Sequence, residues 1–364
     1  MDDDARRLAE QATVGGLLLQ PAAVGVVEQW LRRSDFTQPW LGDLYLLLRE
    51  RHHAGEPGDP LSVGRALIAE GSPSMQMVVP RLVDLLQAAP VPPKPLGYAR
   101  VLLASGIRRE VDGLGVVLRA GAMAAARQLD AGPMRQTAAE VDGLLREARE
   151  RWDRAHGRTG AMAPPVEESR RALELRLGAD RFLQAQPAVA DAEVVERERR
   201  LVGALVVRPA AAAAIGQSLH PEWFTERTWA AAYAAILDLT ASQQPVDAVT
   251  VCCRVQDLCA AFGVAPSARD VVAAAEESLT TDPLQAAAAV SADVTVRTAL
   301  SAAASLSAAA QRPGLGVPDL IDTAHVLVTA TVSAAAGMRP AGRGWRGKDV
   351  AAAMRARTVG GVAG

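Results

Sequence analysis

Ala9-Glu10-Gln11-Ala12-Thr13-Val14-Gly15-Gly16-Leu17-Leu18-Leu19-Gln20-Pro21 is the stretch on which the fold of this chain turns. Leu8, Ala12, Gly15 and Leu19 fall near one face of a helix, and Pro21 ends that helix and suits the first turn of the next. The stretch returns at an offset of 188 positions, the separation of Glu10 from Glu198. Val14 then meets Val202, Gly15 meets Gly203, Leu17 meets Leu205 and Pro21 meets Pro209. The register holds further on. Phe36-Thr37 falls on Phe224-Thr225, Tyr45 on Tyr233, Pro57 on Pro245, Asp59 on Asp247 and Val63 on Val251. Pro95-Leu96 still meets Pro283-Leu284, and Arg109 meets Arg297. Each match is weak alone; one ungapped register held this long is the signature of an internal repeat.

The repeat divides the chain into a first helical module at 8–156, a linker at 157–195, a second module at 196–336 and a Gly/Arg-rich tail at 337–364. Within the first module the pattern predicts helices over 8–19, 22–31, 40–52, 61–70 and 78–88. Ser34-Asp35 forms a turn, and Ser62 caps the fourth helix. Pro90 to Pro95 is an extended break. Beyond it come two long helices, 96–128 and 134–151, joined at Gly132-Pro133 as an antiparallel hairpin. The second module repeats the plan with helices over 198–207, 210–219, 228–240, 248–261 and 267–277 and a hairpin over 284–311 and 318–335. In the linker, Val166 to Gln184 is expected to be one exposed helix.

Composition agrees with an all-α fold. The 364 residues are 49% apolar but only 4% aromatic, and Ala is abundant, which favours close-packed helices over strands. A net charge of −2 gives no global attraction to nucleic acid. No apolar run is long enough to span a bilayer, and the start at Met1-Asp2-Asp3-Asp4 lacks the basic character of a secretion signal. A cytoplasmic protein with no membrane partner is expected.

The ordered set of residues resembles a known family. The opening helix, then Phe36-Thr37, Tyr45, Gly55-Glu56-Pro57 and Asp59, is similar to the N-terminal domain of bacterial DnaB-type replicative helicases. In the second module Phe224-Thr225, Tyr233, Pro245-Val246-Asp247 and Val249-Thr250-Val251 match as well. The resemblance implies two tandem copies of a small helical globule carrying a long hairpin. It implies hairpins that pair into dimers, and a collar that docks primase in DNA replication. It implies no catalysis, which in that family belongs to a separate RecA-like motor. The expected partners are therefore a primase or a replicative helicase, with self-association as a homo-oligomer or as an internal pseudo-dimer. Residues expected at the hairpin packing interface are Val101, Val111, Leu118, Val141, Leu145, Ala148, Val294 and Leu300.

Other constellations point to no chemistry. Gly342-Arg343-Gly344-Trp345-Arg346-Gly347-Lys348-Asp349 fits the spacing of a phosphate-binding loop but ends in Asp where a magnesium-ligating hydroxyl belongs, and no strand pattern precedes it. The chain is expected not to be an enzyme. Adjacent His52 and His53 point to different sides of a helix end and are expected to be solvated; His156, His220 and His325 are scattered. Cys252, Cys253 and Cys259 lack the paired spacing and nearby His that zinc requires and are expected to be buried thiols. No cofactor or metal is expected. The tail sets Arg339, Arg343, Arg346, Lys348, Arg355 and Arg357 against Asp349, with Trp345 among glycines. That chemistry offers weak nucleic-acid contact, or contact with an acidic protein, through phosphate pairing and base stacking. A solvated end is the plainer reading. A nucleic-acid-binding accessory acting through this tail, and a self-associating structural protein with no replication role, are the alternative functions.

Overall fold

The computed structural model describes residues 3–69, 75–158, 164–167, 170–186, 191–263 and 265–338. Among these residues there are fifteen α-helices and no strand. The first copy comprises α1 (Asp3–Leu19), α2 (Val24–Val27), α3 (Pro39–His53), α4 (Pro60–Ala69), α5 (Met75–Ala88) and the hairpin arms α6 (Pro95–Gln128) and α7 (Gly132–Ala155). Helix α8 (Arg171–Gln184) lies in the linker. The second copy comprises α9 (Asp191–Val207), α10 (Ala212–Ile215), α11 (Arg227–Ala241), α12 (Ala248–Phe262), α13 (Ala268–Glu277), α14 (Pro283–Gln311) and α15 (Val317–Ala335).

The repeat is written into the bonds. Glu10 is fully buried, and its carboxylate accepts the backbone N–H of Thr37 at 2.8 Å, the Thr37 hydroxyl at 2.5 Å and the N–H of Gln38 at 3.1 Å. Glu198 does the same for Thr225 N–H at 2.6 Å and Glu226 N–H at 3.0 Å. Each carboxylate thus satisfies donors at the start of the following long helix, where the helix dipole also favours negative charge. Burial pushes the Glu198 carboxyl above its usual value, and the Thr225 and Glu226 hydrogen bonds only partly offset this. Tyr45 donates its hydroxyl to Leu31 O, and Tyr233 to Leu219 O, both at 3.0 Å. Phe36 lies against Tyr45, and Phe224 against Tyr233.

Gly15 and Gly203 show why the small residue recurs. α1 crosses α5, and α9 crosses α13, so closely that a Cβ at either glycine would penetrate a backbone carbonyl, Leu85 O or Ala274 O. Helix α4 begins where Asp59 Oδ1 accepts from Leu61 N–H at 3.0 Å and Ser62 N–H at 3.1 Å, and α12 where Asp247 Oδ1 accepts from Val249 at 2.8 Å and Thr250 at 3.0 Å. The cap of α4 is therefore Asp59 rather than Ser62.

Three other expectations need correction. The continuous helix over 22–31 is instead a 3-10 turn, Pro21–Ala23, followed by the four-residue α2. The second copy breaks at the same place, Pro209–Ala211 and then α10, although its sequence there is nearly all Ala. Propensity favours a longer helix; the chain turns early so that Leu31 and Leu219 can be buried and present their carbonyls to the tyrosines. In the linker, Val166 is buried and outside any helix, and α8 starts only at Arg171.

The chain divides into two compact units: Met1–Gly115 with Glu140–Leu177 and Ala304–Val326, and Val116–Ala139 with Gly178–Ala303 and Leu327–Gly364. Each unit joins one globule and the base of its own hairpin to the far end of the other hairpin. The core of the first unit includes Leu17, Leu31, Leu41, Tyr45, Leu102 and Ile107. That of the second includes Leu201, Leu205, Tyr233, Ile236, Val290 and Val294.

Candidate interaction surfaces

The hairpin turns differ in the two copies. α6 passes into α7 through three residues, where Leu129 takes a positive φ of 49° and Asp130 accepts from Gly132 N–H at 2.9 Å. α14 passes into α15 through a longer turn in which Gly314 takes a φ of 85°. Of the residues expected at the packing interface, Val111, Leu118, Val141, Leu145, Ala148 and Val294 are buried. Val101 and Leu300 are 42% and 47% exposed. Each of these two lines a cleft.

Within the first unit, the far end of the second hairpin is fastened to the base of the first. Arg108 donates to Ala310 O at 3.0 Å, to Arg312 O at 3.4 Å and to Leu315 O. These carbonyls lie at and beyond the end of α14, where no intrahelical donor remains for them. Arg149 pairs with Asp322 at 3.4 Å, and His325 faces Asp142 at 3.9 Å.

A cleft opens beside this joint in each unit. The first, of about 480 Å³, is lined by Arg6, Val101, Arg108, Arg109, Asp112 and Arg312 among others. The second, of about 600 Å³, is lined by Arg127, Asp191, Arg197, Asp293, Arg297 and Leu300 among others. They occupy equivalent positions in the repeat. Val101, Ala104, Ser105, Arg108 and Arg109 of the first correspond, 188 positions on, to Ala289, Ala292, Asp293, Val296 and Arg297 of the second. One basic residue keeps the same task in both: Arg109 donates to Asp35 O at 2.6 Å, and Arg297 donates to Trp223 O and the Thr225 hydroxyl. The rest has diverged. Burial lowers the Arg109 pKa, Asp35 raises it and the neighbouring charge of Arg6 lowers it again, with a net fall. Burial pushes the Asp293 carboxyl up to about 6 despite the 2.5 Å bond from Arg197.

The sequence did not reveal a buried ionic network in the first unit. Arg151 is 1% exposed and reaches Asp35 (0% exposed), Glu110 at 3.0 Å and Trp30 O at 3.0 Å. Arg32 is nearly as buried; it pairs with Glu147, and its backbone N–H donates to Asp35 at 2.8 Å. Burial lowers the Arg151 pKa, but Asp35 and Glu110 outweigh it and hold the guanidinium charged. At the matching register the second copy has His220, Trp223 and Thr298 in place of Arg32, Asp35 and Glu110. A charge facing a neutral residue across the repeat was the available signal.

His52 and His53 are both exposed at the end of α3, as expected, and His53 Nε2 lies 2.8 Å from the buried carboxylate of Glu28. Cys252 is half-buried and Cys253 exposed, contrary to the expectation for these two thiols, because α12 turns position 253 outward; the Cys259 side chain lies outside the described residues. Burial raises the Cys252 pKa. Among the described residues no group of His, Cys, Asp and Glu could hold a metal ion, and no helix is long and apolar enough to cross a membrane. Arg339, Arg343, Trp345, Arg346, Lys348, Arg355 and Arg357, with the Gly342–Asp349 motif, lie outside the described residues.

No curated protein and no solved structure matches the chain. The family model of the DnaB-like helicase N terminal domain matches residues 4–104 and again residues 190–269. The two matched segments are the two copies found by the 188-residue offset, each a globule that opens on a buried Glu and is anchored by a Tyr. The chain belongs to the family of DnaB-like helicase N-terminal domains, and carries that domain twice.

Proposed function

We propose that the chain is a non-catalytic adaptor or regulator of the replication apparatus: an internal pseudo-dimer of collar domains that binds a primase or a replicative helicase. At family level the domain is a helicase-associated module of oligomerisation and primase interaction. The observation that carries the reading is the fastening of Arg108 to the carbonyls around the end of α14, which ties one copy's hairpin to the other's. Tethering in one chain makes that pairing intramolecular and raises its effective concentration above that of separate chains. Most described arginines of the clefts are committed to structural carbonyls and carboxylates, which suits a scaffold better than an active site.

Two measurements test this. The full chain should sediment as a monomer at micromolar concentration, its hairpins satisfied internally. When it is used as bait in its own cell extract, primase or replicative helicase should be enriched over a bait carrying Leu118→Asp. Enrichment of neither protein, or equal recovery by both baits, would overturn the adaptor reading.

A further inference from the structure

The linker segment Pro164–Glu167 is seated on the first globule in a way that resembles a bound ligand. Its backbone is read at three points. Val166 N–H donates to Glu28 O at 2.8 Å, Arg49 donates to Val166 O at 3.3 Å, and Arg32 Nε donates to Glu167 O at 3.0 Å. The Val166 side chain is buried, at 6% exposure. Glu28 ends the four-residue α2, so its carbonyl is one of the acceptors a helix terminus leaves without an internal partner. Arg32 is 4% and Arg49 12% exposed, so neither is a loose surface cation. Main-chain bonds flanking one buried apolar side chain are the usual grammar of extended-peptide recognition. Two prolines ahead of the valine hold the segment extended and reduce the entropy lost on docking.

This groove belongs to the first copy alone. Glu28, Arg32, Arg49 and His53 correspond to Gly216, His220, Leu237 and Ala241. In the second copy a Cβ at Gly216 would press on Leu237, so the space over α10 is already filled by an apolar side chain.

We propose that the Glu28–Arg32–Arg49 groove is a peptide-recognition site for an extended Pro-Pro-Val-Glu segment, and that the chain's own Pro164–Glu167 is its displaceable occupant. The linker then acts as a latch that competes with any segment of the same chemistry offered in trans. Where the effective concentration is about ten times the Kd of the free peptide, the latch weakens apparent trans binding about tenfold.

The test is fluorescence polarisation with a labelled peptide of sequence 161–169, titrated against the full chain. Val166→Asp disables the latch and leaves the groove intact. This variant should bind the peptide about tenfold more tightly than wild type, and adding Arg49→Ala should remove that binding. Equal affinity of Val166→Asp and wild type, or no binding to a Val166→Asp chain of native helical content, overturns the proposal. Should Val166→Asp not fold, Val166→Gly takes its place. Hydrogen exchange gives a second reading in the wild-type chain. The Val166 amide should be protected by its bond to Glu28, and millimolar unlabelled peptide should accelerate its exchange; an unchanged rate refutes the latch.

Discussion

Arg151→Met removes the centre of the buried network and leaves its surroundings in place. The guanidinium, on a side chain 1% exposed, holds the buried Asp35 and the partly exposed Glu110 and donates to the Trp30 carbonyl. Methionine fills most of the volume, so the cost is electrostatic rather than a cavity. Breaking one side of a fully buried ion pair costs about 3–5 kcal/mol, because the remaining charge keeps its desolvation penalty without its partner. That is a large share of the roughly 5–15 kcal/mol that stabilises a typical domain. Urea denaturation followed by fluorescence suits the measurement, since Trp30 and Trp152 flank the site in space and sequence. Pairing the change with Asp35→Asn removes the stranded charge. The double variant should therefore recover at least half of the loss, a coupling that independent sites would not show. A loss below about 1.5 kcal/mol for Arg151→Met, or losses that simply add in the double variant, would refute the claim that this pair holds the hairpin base to the globule.

Three further outcomes can be measured with the same apparatus. Glu198→Gln keeps one hydrogen-bond acceptor but sets an NH2 donor against the N–H of Thr225 or Glu226 just ahead of α11. It should cost about 1–2 kcal/mol, and no loss would mean that these two bonds do not hold the segment ahead of α11. Burial raises Asp293 to about 6 from an unfolded value of about 3.9, so its contribution to stability is full below the lower value and lost as pH rises through the upper one. Asp293→Asn should flatten the stability profile between about pH 4 and 7 by up to about 3 kcal/mol; an unaltered profile is the adverse result. Gly203→Ala should cost about 3 kcal/mol, because the Cβ meets the backbone oxygen of Ala274 and α9 and α13 must part. Gly178→Ala in α8, with open space around its Cβ, should be neutral or slightly stabilising; equal behaviour of the two would remove the close-crossing argument.

The features legible in the sequence were those made by short-range or backbone-directed interactions. Glu10, Phe36, Tyr45 and Asp59 each reappear 188 positions later, and each pair makes the same bond or ring contact in both globules. Long helices such as α6, α7 and α14 were read within a few residues because their apolar stripes extend over many turns. The failures share a cause as well. The early break after Pro21 is imposed by distant tyrosines, against local propensity. The pairing of Arg151 with Asp35 spans 116 positions and follows no period. Val166 looked like the first residue of a helix because the orphan carbonyl at Glu28 is invisible in one dimension.

The two copies differ where they would have to be alike in a symmetric dimer. An isologous interface uses the same patch on both partners. Here the position that carries Arg108 in one hairpin base carries Val296 in the other, and the turns they face differ in length. Arg108 meets the carbonyl of Ala310 at the end of α14 and those of Arg312 and Leu315 in the longer turn that follows. The shorter turn after α6 is closed by its own Asp130, and residues around it line a cleft with Val296's neighbours Asp293 and Arg297. Two first-copy hairpins paired between separate chains would set Arg108 against a turn that is already closed, leaving a half-buried guanidinium short of acceptors. Unpaired charge of that kind is how an interface rejects a wrong partner. Divergence between the copies thus disfavours a symmetric pairing of like hairpins, which accords with the internal pseudo-dimer proposed above.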